Sequence, residues 1–319
     1  QSRPDAQTGP IGSFQTEGHD RRHGTEVFMP GMIRRTLLVG GIVAAAGGVA
    51  LWRWRAPGGS EIAYGNDPAQ KLDIRYPRGL EAHPVLVIFH PGDFSDGDKA
   101  DVTVWPELLE AGIAVVRVNT RLSGNAKWPS QADDALAAII HLQRQAETLG
   151  IDPSRIVIMG LGAGAYVAVT AALSLVEVGL PPKAVVSLYG PMDFSTLDGD
   201  MKTLGRNPAR GPVDEPESPE SRLLGFAVGE KRDAARAASP LAKLDRLREP
   251  LPPILIRHGD ADTVVADLQA KRLREAWIAA DPKARIDYKL VPGAGHGGEA
   301  FETGEVKADI LAFVQEALA

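Results

Sequence analysis

Ile156-Val157-Ile158-Met159-Gly160-Leu161-Gly162-Ala163-Gly164-Ala165 is an apolar run that breaks into three alternating glycines and then into a helical pattern. Four consecutive apolar residues suit a strand covered on both faces. The glycines mark a sharp turn. The dense apolar spacing over residues 163–178 then predicts a helix. Outward from this unit, further apolar runs fall at 85–89, 114–118, 184–189 and 254–257, each short enough for a buried strand. Between them Ala135, Leu136, Ile139, Ile140, Leu142, Ala146 and Leu149 recur at helical spacing before Gly150. Strand and helix in alternation predict an α/β fold, a doubly wound and mostly parallel sheet. Edge strands are expected at 62–64 and 72–76, joined through Gly65-Asn66-Asp67-Pro68. A helix over about 265–279, a strand over 286–291 and a closing helix over about 304–318 complete the pattern.

The 319 residues accommodate one large domain, 61–319, and an N-terminal extension. Residues 1–31 are polar and aperiodic and are expected to be a disordered tail. Met29 and Met32 are natural starts, because Ile33-Arg34-Arg35 then forms a basic stretch ahead of the apolar residues 37–52. Segment 32–55 is therefore expected to be an export signal or membrane anchor. Arg34-Arg35-Thr36-Leu37-Leu38 favours a twin-arginine signal, and Trp52-Arg53-Trp54-Arg55 favours an interfacial anchor. The plainer alternative is an Ala/Gly-rich helix packed on the domain. Residues 56–60 form the linker.

At 44% hydrophobic and 24% charged, the composition is that of an ordinary globular chain. The net charge of −6 hides a split: residues 1–60 hold seven Lys/Arg and four Asp/Glu, leaving 28 and 37, or −9, for the rest. An acidic body gives no reason to expect nucleic-acid binding. Cysteine is absent, which excludes disulfides, thiolate metal sites and a cysteine nucleophile. Segment 193–238 breaks the strand-helix rhythm with Gly, Pro and acidic residues and is expected to be an inserted lid over the sheet's carboxyl edge, where ligands of open α/β sheets bind. The competing reading is a surface excursion packed by Leu223, Leu224, Phe226 and Val228, without a gating role.

Several motifs resemble the α/β-hydrolase superfamily, and within it the acetyl esterase/lipase branch that includes feruloyl and acetyl-xylan esterase-like proteins. Gly160-Leu161-Gly162-Ala163-Gly164 has the form of the G-x-S-x-G nucleophile elbow, with glycine at its centre. His90-Pro91-Gly92-Asp93-Phe94 and Gly97-Asp98-Lys99 are similar to the family's His-Gly-Gly-Gly-Trp and Gly-Asp-Lys oxyanion loop. Gly150-Ile151-Asp152-Pro153-Ser154-Arg155, Tyr189-Gly190-Pro191-Met192-Asp193, Arg222-Leu223-Leu224-Gly225 and Ser239-Pro240-Leu241 extend the match. The resemblance implies an α/β-hydrolase fold acting on short-chain or aromatic carboxylic esters, with no cofactor and a small-molecule ester as partner. It places the catalytic acid on Asp262, the base on His296 and the nucleophile on Gly162, which has no side chain. Its oxyanion donors fall on the backbone of Gly92, Asp93 and Ala163. Pro91 and Asp93 depart from the glycine pattern, and an Asp93 carboxylate turned toward a developing negative charge opposes its stabilisation.

On residue chemistry alone, Asp262 is a carboxylate at the end of a late strand, suited to orienting an imidazole. Asp193 is its rival. A helix cap for Asp262 and a backbone-bonded loop residue for His296 are the plain readings. His90 and His258, at strand ends, are expected to be structural. Asp93, Asp96, Asp98 and Asp101 lack the spacing of an EF-hand and are expected to be a solvated loop, with no metal. Ser123, Ser187, Ser195 and Tyr166 are remote stand-ins for the missing nucleophile. Three functions remain open: a binding protein built on a hydrolase, a weak hydrolase in which His296 activates water, and a variant of an active serine esterase.

Overall fold

In a computed structural model of the chain, residues 61–79 and 82–319 are described. The expected tail, signal or anchor segment and linker, residues 1–60, lie outside them. Among the described residues no helix is long and apolar enough to cross a membrane.

Eight strands form one sheet in the order β1-β2-β4-β3-β5-β6-β7-β8. They are β1 (Ile62–Ala63), β2 (Lys71–Arg75), β3 (His83–Phe89), β4 (Ala114–Val118), β5 (Ile151–Leu161), β6 (Ala184–Leu188), β7 (Ile254–Gly259) and β8 (Ile286–Val291). β2 runs antiparallel to β1 and β4, and every other pair is parallel. The order reverses around β3, whose neighbours are β4 and β5, so the chain leaves the ends of β3 and β5 close to a topological switch point, where open sheets hold ligands.

The apolar runs alternate between two cores, as side chains on a strand must. Val85, Val87 and Phe89 of β3 and Ile156 and Ile158 of β5 face one core, with helices α2 (Ser130–Arg144) and α3 (Ala163–Glu177). Leu86, Ile88, Val157, Met159 and Leu161 face the other, with α1 (Pro106–Glu110) and the closing helix α5 (Gly304–Leu318). The α3 helix is nearly all buried because its Ala-rich faces let it lie close to the sheet. Gly164 sets that distance: a Cβ there would lie 2.3 Å from the carbonyl oxygens of both Phe89 and His90. Gly164→Ala is expected to destabilise the domain by about 1–3 kcal/mol or more through overpacking against rigid backbone, read as a lower melting temperature.

The helix predicted from about residue 265 starts later, as α4 (Leu268–Ala280). The backbone N–H groups of Val264 and Val265 instead donate to the Asp262 carboxylate, which holds this stretch in a turn. Segment 193–238 is a chain of short helical pieces, among them Leu197–Thr203 and Pro219–Leu224. Three of its four expected packing residues, Leu223, Leu224 and Val228, are buried in the α2/α3 core, and Phe226 packs half-buried against it.

Candidate active site

Gly162 joins the end of β5 to α3 at φ 55° and ψ −122°. Residues with a Cβ adopt such a conformation only at a cost, about 1–3 kcal/mol. Its N–H donates to the Leu188 carbonyl at 2.9 Å, which ties the turn to β6. A Cβ at position 162 would lie 3.3 Å from His296 Nε2 and 3.5 Å from the Tyr189 ring. The elbow therefore aims its missing side chain at the imidazole.

That imidazole is held from behind. His296 Nδ1–H donates to Asp262 Oδ2 at 2.8 Å. Asp262 follows β7, is completely buried, and takes the N–H groups of Val264 and Val265 on its other oxygen at 2.7 and 2.9 Å. Its loop is laced to the His296 loop by Ala261 N–H to Ala294 O, Asp260 N–H to Val291 O and Gly293 N–H to Asp260 Oδ1. Asp193, the rival acid, accepts instead from Arg236 and the Ser195 hydroxyl.

His258 has a larger part than expected. Its Nε2 lies 3.1 Å from the same Asp262 oxygen and 2.9 Å from the Val265 carbonyl, and its Nδ1 is buried without a partner. The carboxylate thus sits between two imidazoles. The interval of four residues between His258 and Asp262 was the available signal, but it has no fixed geometric meaning at a strand end.

Burial alone would raise the Asp262 carboxyl, but the bonds from His258 and His296 outweigh it and hold the group well below the usual carboxylate range. An aspartate in the unfolded chain titrates near pH 3.9, so in acid the unfolded state binds the extra proton. The stabilising contribution of Asp262 is full above about pH 4 and is lost as pH falls toward the lower folded value. Asp262→Asn is expected to lower stability at neutral pH yet flatten its decline in acid, measured by urea unfolding across a pH series.

Tyr189, after β6, closes the site. Its ring meets His296 edge-on at 4.9 Å between centroids and Phe301 at 4.6 Å, fixing the imidazole plane. Burial pushes its phenol far above the ordinary value, so it stays neutral. The sequence showed Tyr189 only as part of a motif, and its positive φ of 43° is what turns it toward His296.

The expected oxyanion donors converge less fully. Ala163 opens α3 directly after the elbow, and Gly92 borders the cavity beside His296. The Asp93 N–H, however, already donates to Asp96 Oδ1 at 2.8 Å. The Asp93 carboxylate bonds Arg210 from segment 193–238. The other acidic-loop residues also serve backbone donors: Asp98 accepts from Ala100 N–H, and Asp101 from Asp98 N–H. His90 bonds the Pro91 carbonyl through Nδ1, and burial lowers its basicity. The Tyr166 hydroxyl donates to Ala238 O, and Ser123, Ser187 and Ser195 do not border the cavity.

The cavity measures about 340 Å³ and opens beside His296. Ile88, Trp105, Leu108, Met159 and Leu161 make its apolar floor. No residue of segment 193–238 lines it, and that segment reaches the rim through Arg210.

The BD-FAE family model matches residues 72–277. Esterase LipC of Mycobacterium tuberculosis is 26% identical over 272 residues, covering 80% of this chain but 64%, under two thirds, of LipC. Ethyl acetate hydrolase of Pseudomonas putida is 33% identical over 260 residues, 74% of each chain. Among solved structures, a truncated carbohydrate esterase from gut microbiota aligns with a TM-score of 0.69 at 27% identity, over 81% of this chain and 95% of that one.

Proposed function

The chain belongs to the BD-FAE family of α/β-hydrolase esterases, and from that premise we propose that it is a carboxylic-ester hydrolase whose acid and base are intact and whose attacking group is missing. The observation that carries this reading is the 3.3 Å between a Cβ at position 162 and His296 Nε2. A serine hydroxyl on that carbon falls within hydrogen-bond reach of the imidazole, the arrangement an activated nucleophile needs. Glycine supplies no atom to form an acyl-enzyme, so ester cleavage by the unaltered chain is severely impaired. The substrate class is a small ester, supported by the relatives' esterase and ethyl acetate hydrolase names and by the size of the cavity. The test is p-nitrophenyl acetate hydrolysis by Gly162→Ser beside the unaltered protein.

A second reading is a ligand-holding protein that no longer performs chemistry. It is favoured by the Asp93 N–H, which is engaged by Asp96 rather than free for an oxyanion. A Gly162→Ser protein that folds, binds esters and cleaves none would select it. For the N-terminal extension we propose export or membrane anchoring through segment 32–55, supported by its paired arginines and Trp/Arg flank. Fractionation of cells expressing the full chain, with and without that segment, tests this.

A further inference from the structure

The walls of the cavity carry charge of one sign. Its border includes three acidic residues, Asp93, Asp101 and Glu302, and no lysine or arginine lines it. Asp93 is neutralised by Arg210, which also reaches Glu220. The other two are not. Asp101 accepts the Asp98 N–H, and Glu302 accepts the Thr103 hydroxyl at 3.1 Å, but neither has a cation partner among the described residues. The nearest lysine on the Trp105 side, Lys307, stands 5.6 Å from the indole centroid and is paired with Glu107. Within the site itself His296 is the single basic group, and Asp262 lies directly behind it.

We propose that this cavity selects esters by charge: it accepts an uncharged or cationic group against Trp105 and turns away ligands that bear a carboxylate. The proposal rests on the ester-binding reading of the site and adds the class of ester. The apolar floor of Ile88, Leu108, Met159 and Leu161 offers an anion no donor beyond the unpartnered indole N–H of Trp105, while the rim sets Asp101 and Glu302 against it without a paired cation. Like charges set across a partly desolvated site raise the cost of binding, and an aromatic residue in the lining suits an uncharged or cationic group better than an anion. One consequence concerns the products of ester cleavage: an acid released into this cavity is repelled as soon as it ionises, so product does not compete with fresh ester.

The test uses the unaltered protein, whose severely impaired cleavage on the proposed reading leaves time for binding to be titrated. Phenyl acetates carrying a para methyl, trimethylammonium or carboxylate group are titrated calorimetrically at low and high salt. The carboxylate compound is expected to bind about tenfold or more weaker than the methyl compound, with the gap shrinking as salt screens the rim. Glu302→Gln, at an exposed rim position whose bond is to Thr103 and not to Asp262 or His296, is expected to narrow the gap at low salt, and the double variant with Asp101→Asn to narrow it further. Equal or tighter binding of the carboxylate compound overturns the proposal, as does a gap that the double variant leaves unchanged or a failure of all three to bind at millimolar concentration. The two readings fail separately: a charge gap with no turnover by Gly162→Ser sinks the catalytic reading alone, and turnover without a gap sinks the selection.

Discussion

Gly162→Ser is expected to raise p-nitrophenyl acetate hydrolysis by about 10³-fold or more, short of the roughly 10⁶-fold that separates serine hydrolases from their nucleophile-deleted forms. The gain follows from geometry already present. The elbow holds the conformation a nucleophile needs, and His296 Nε2 lies 3.3 Å from where the new Cβ would sit. The shortfall follows from the oxyanion loop. With the Asp93 N–H bonded to Asp96, Gly92 and Ala163 remain as donors, and one such donor is worth about 10²–10³ in turnover. The same substitution places a side chain at φ 55°, so a loss of about 1–3 kcal/mol accompanies the gain in activity. At about 2–4 °C per kcal/mol for a domain of this size, the melting temperature falls by several degrees. Activity that rises while stability falls is a signature that neither a contaminating esterase nor a better-folded variant reproduces. A folded serine variant with no added hydrolysis would refute the assignment of position 162.

Within that serine variant, Asp262→Asn is expected to remove most of the gained kcat, because up to about 10⁴-fold is lost when the acid of a serine triad becomes an amide and the imidazole takes the wrong tautomer. The asparagine must serve two imidazoles where the carboxylate accepted from both. With its carbonyl oxygen kept on the Val264 and Val265 N–H groups, its amide N–H₂ takes the place of the oxygen both rings share and meets both ring nitrogens as donor against donor, or forces the rings to shift their protons. His258→Gln should cost far less, because His258 touches the acid and the Val265 carbonyl, not the position of attack. Rates measured across pH separate the two. The Asp262 variant loses turnover at every pH, while the His258 variant keeps the maximal rate. Less than a tenfold loss in the Asp262 variant would mean that the pair does not act on the hydroxyl.

The sheet was legible because its strands are short apolar runs bounded by breakers, and that pattern carries burial directly. The 114–118 and 286–291 runs match β4 and β8 to the residue. The start of α4 was missed because Val264 and Val265 have helical spacing but give their N–H groups to Asp262, a tertiary bond that spacing cannot show. The Asp262 and His296 positions came from motif resemblance, and the 2.8 Å bond joins them. Three features were hidden: the grip of His258 on the acid, the edge-on contact of Tyr189, and the capture of the Asp93 N–H by Asp96. Each depends on where a loop points, and loops of Gly, Pro and Asp carry little periodic signal. The 193–238 insertion was visible as an interruption, but its deep anchoring by Leu223 and Val228 is a matter of packing partners far away in sequence.

The lacing between the Asp260–Asp262 turn and the Val291–Ala294 loop has an experimental consequence. Because these backbone bonds hold the imidazole without help from residue 162, an ester soaked into crystals of this protein is expected to meet an aligned His296 with no serine hydroxyl beside it. On the proposed reading the chain is expected to serve as a trap for watching an intact ester settle into place, a complex that an active serine esterase consumes before diffraction data can be collected.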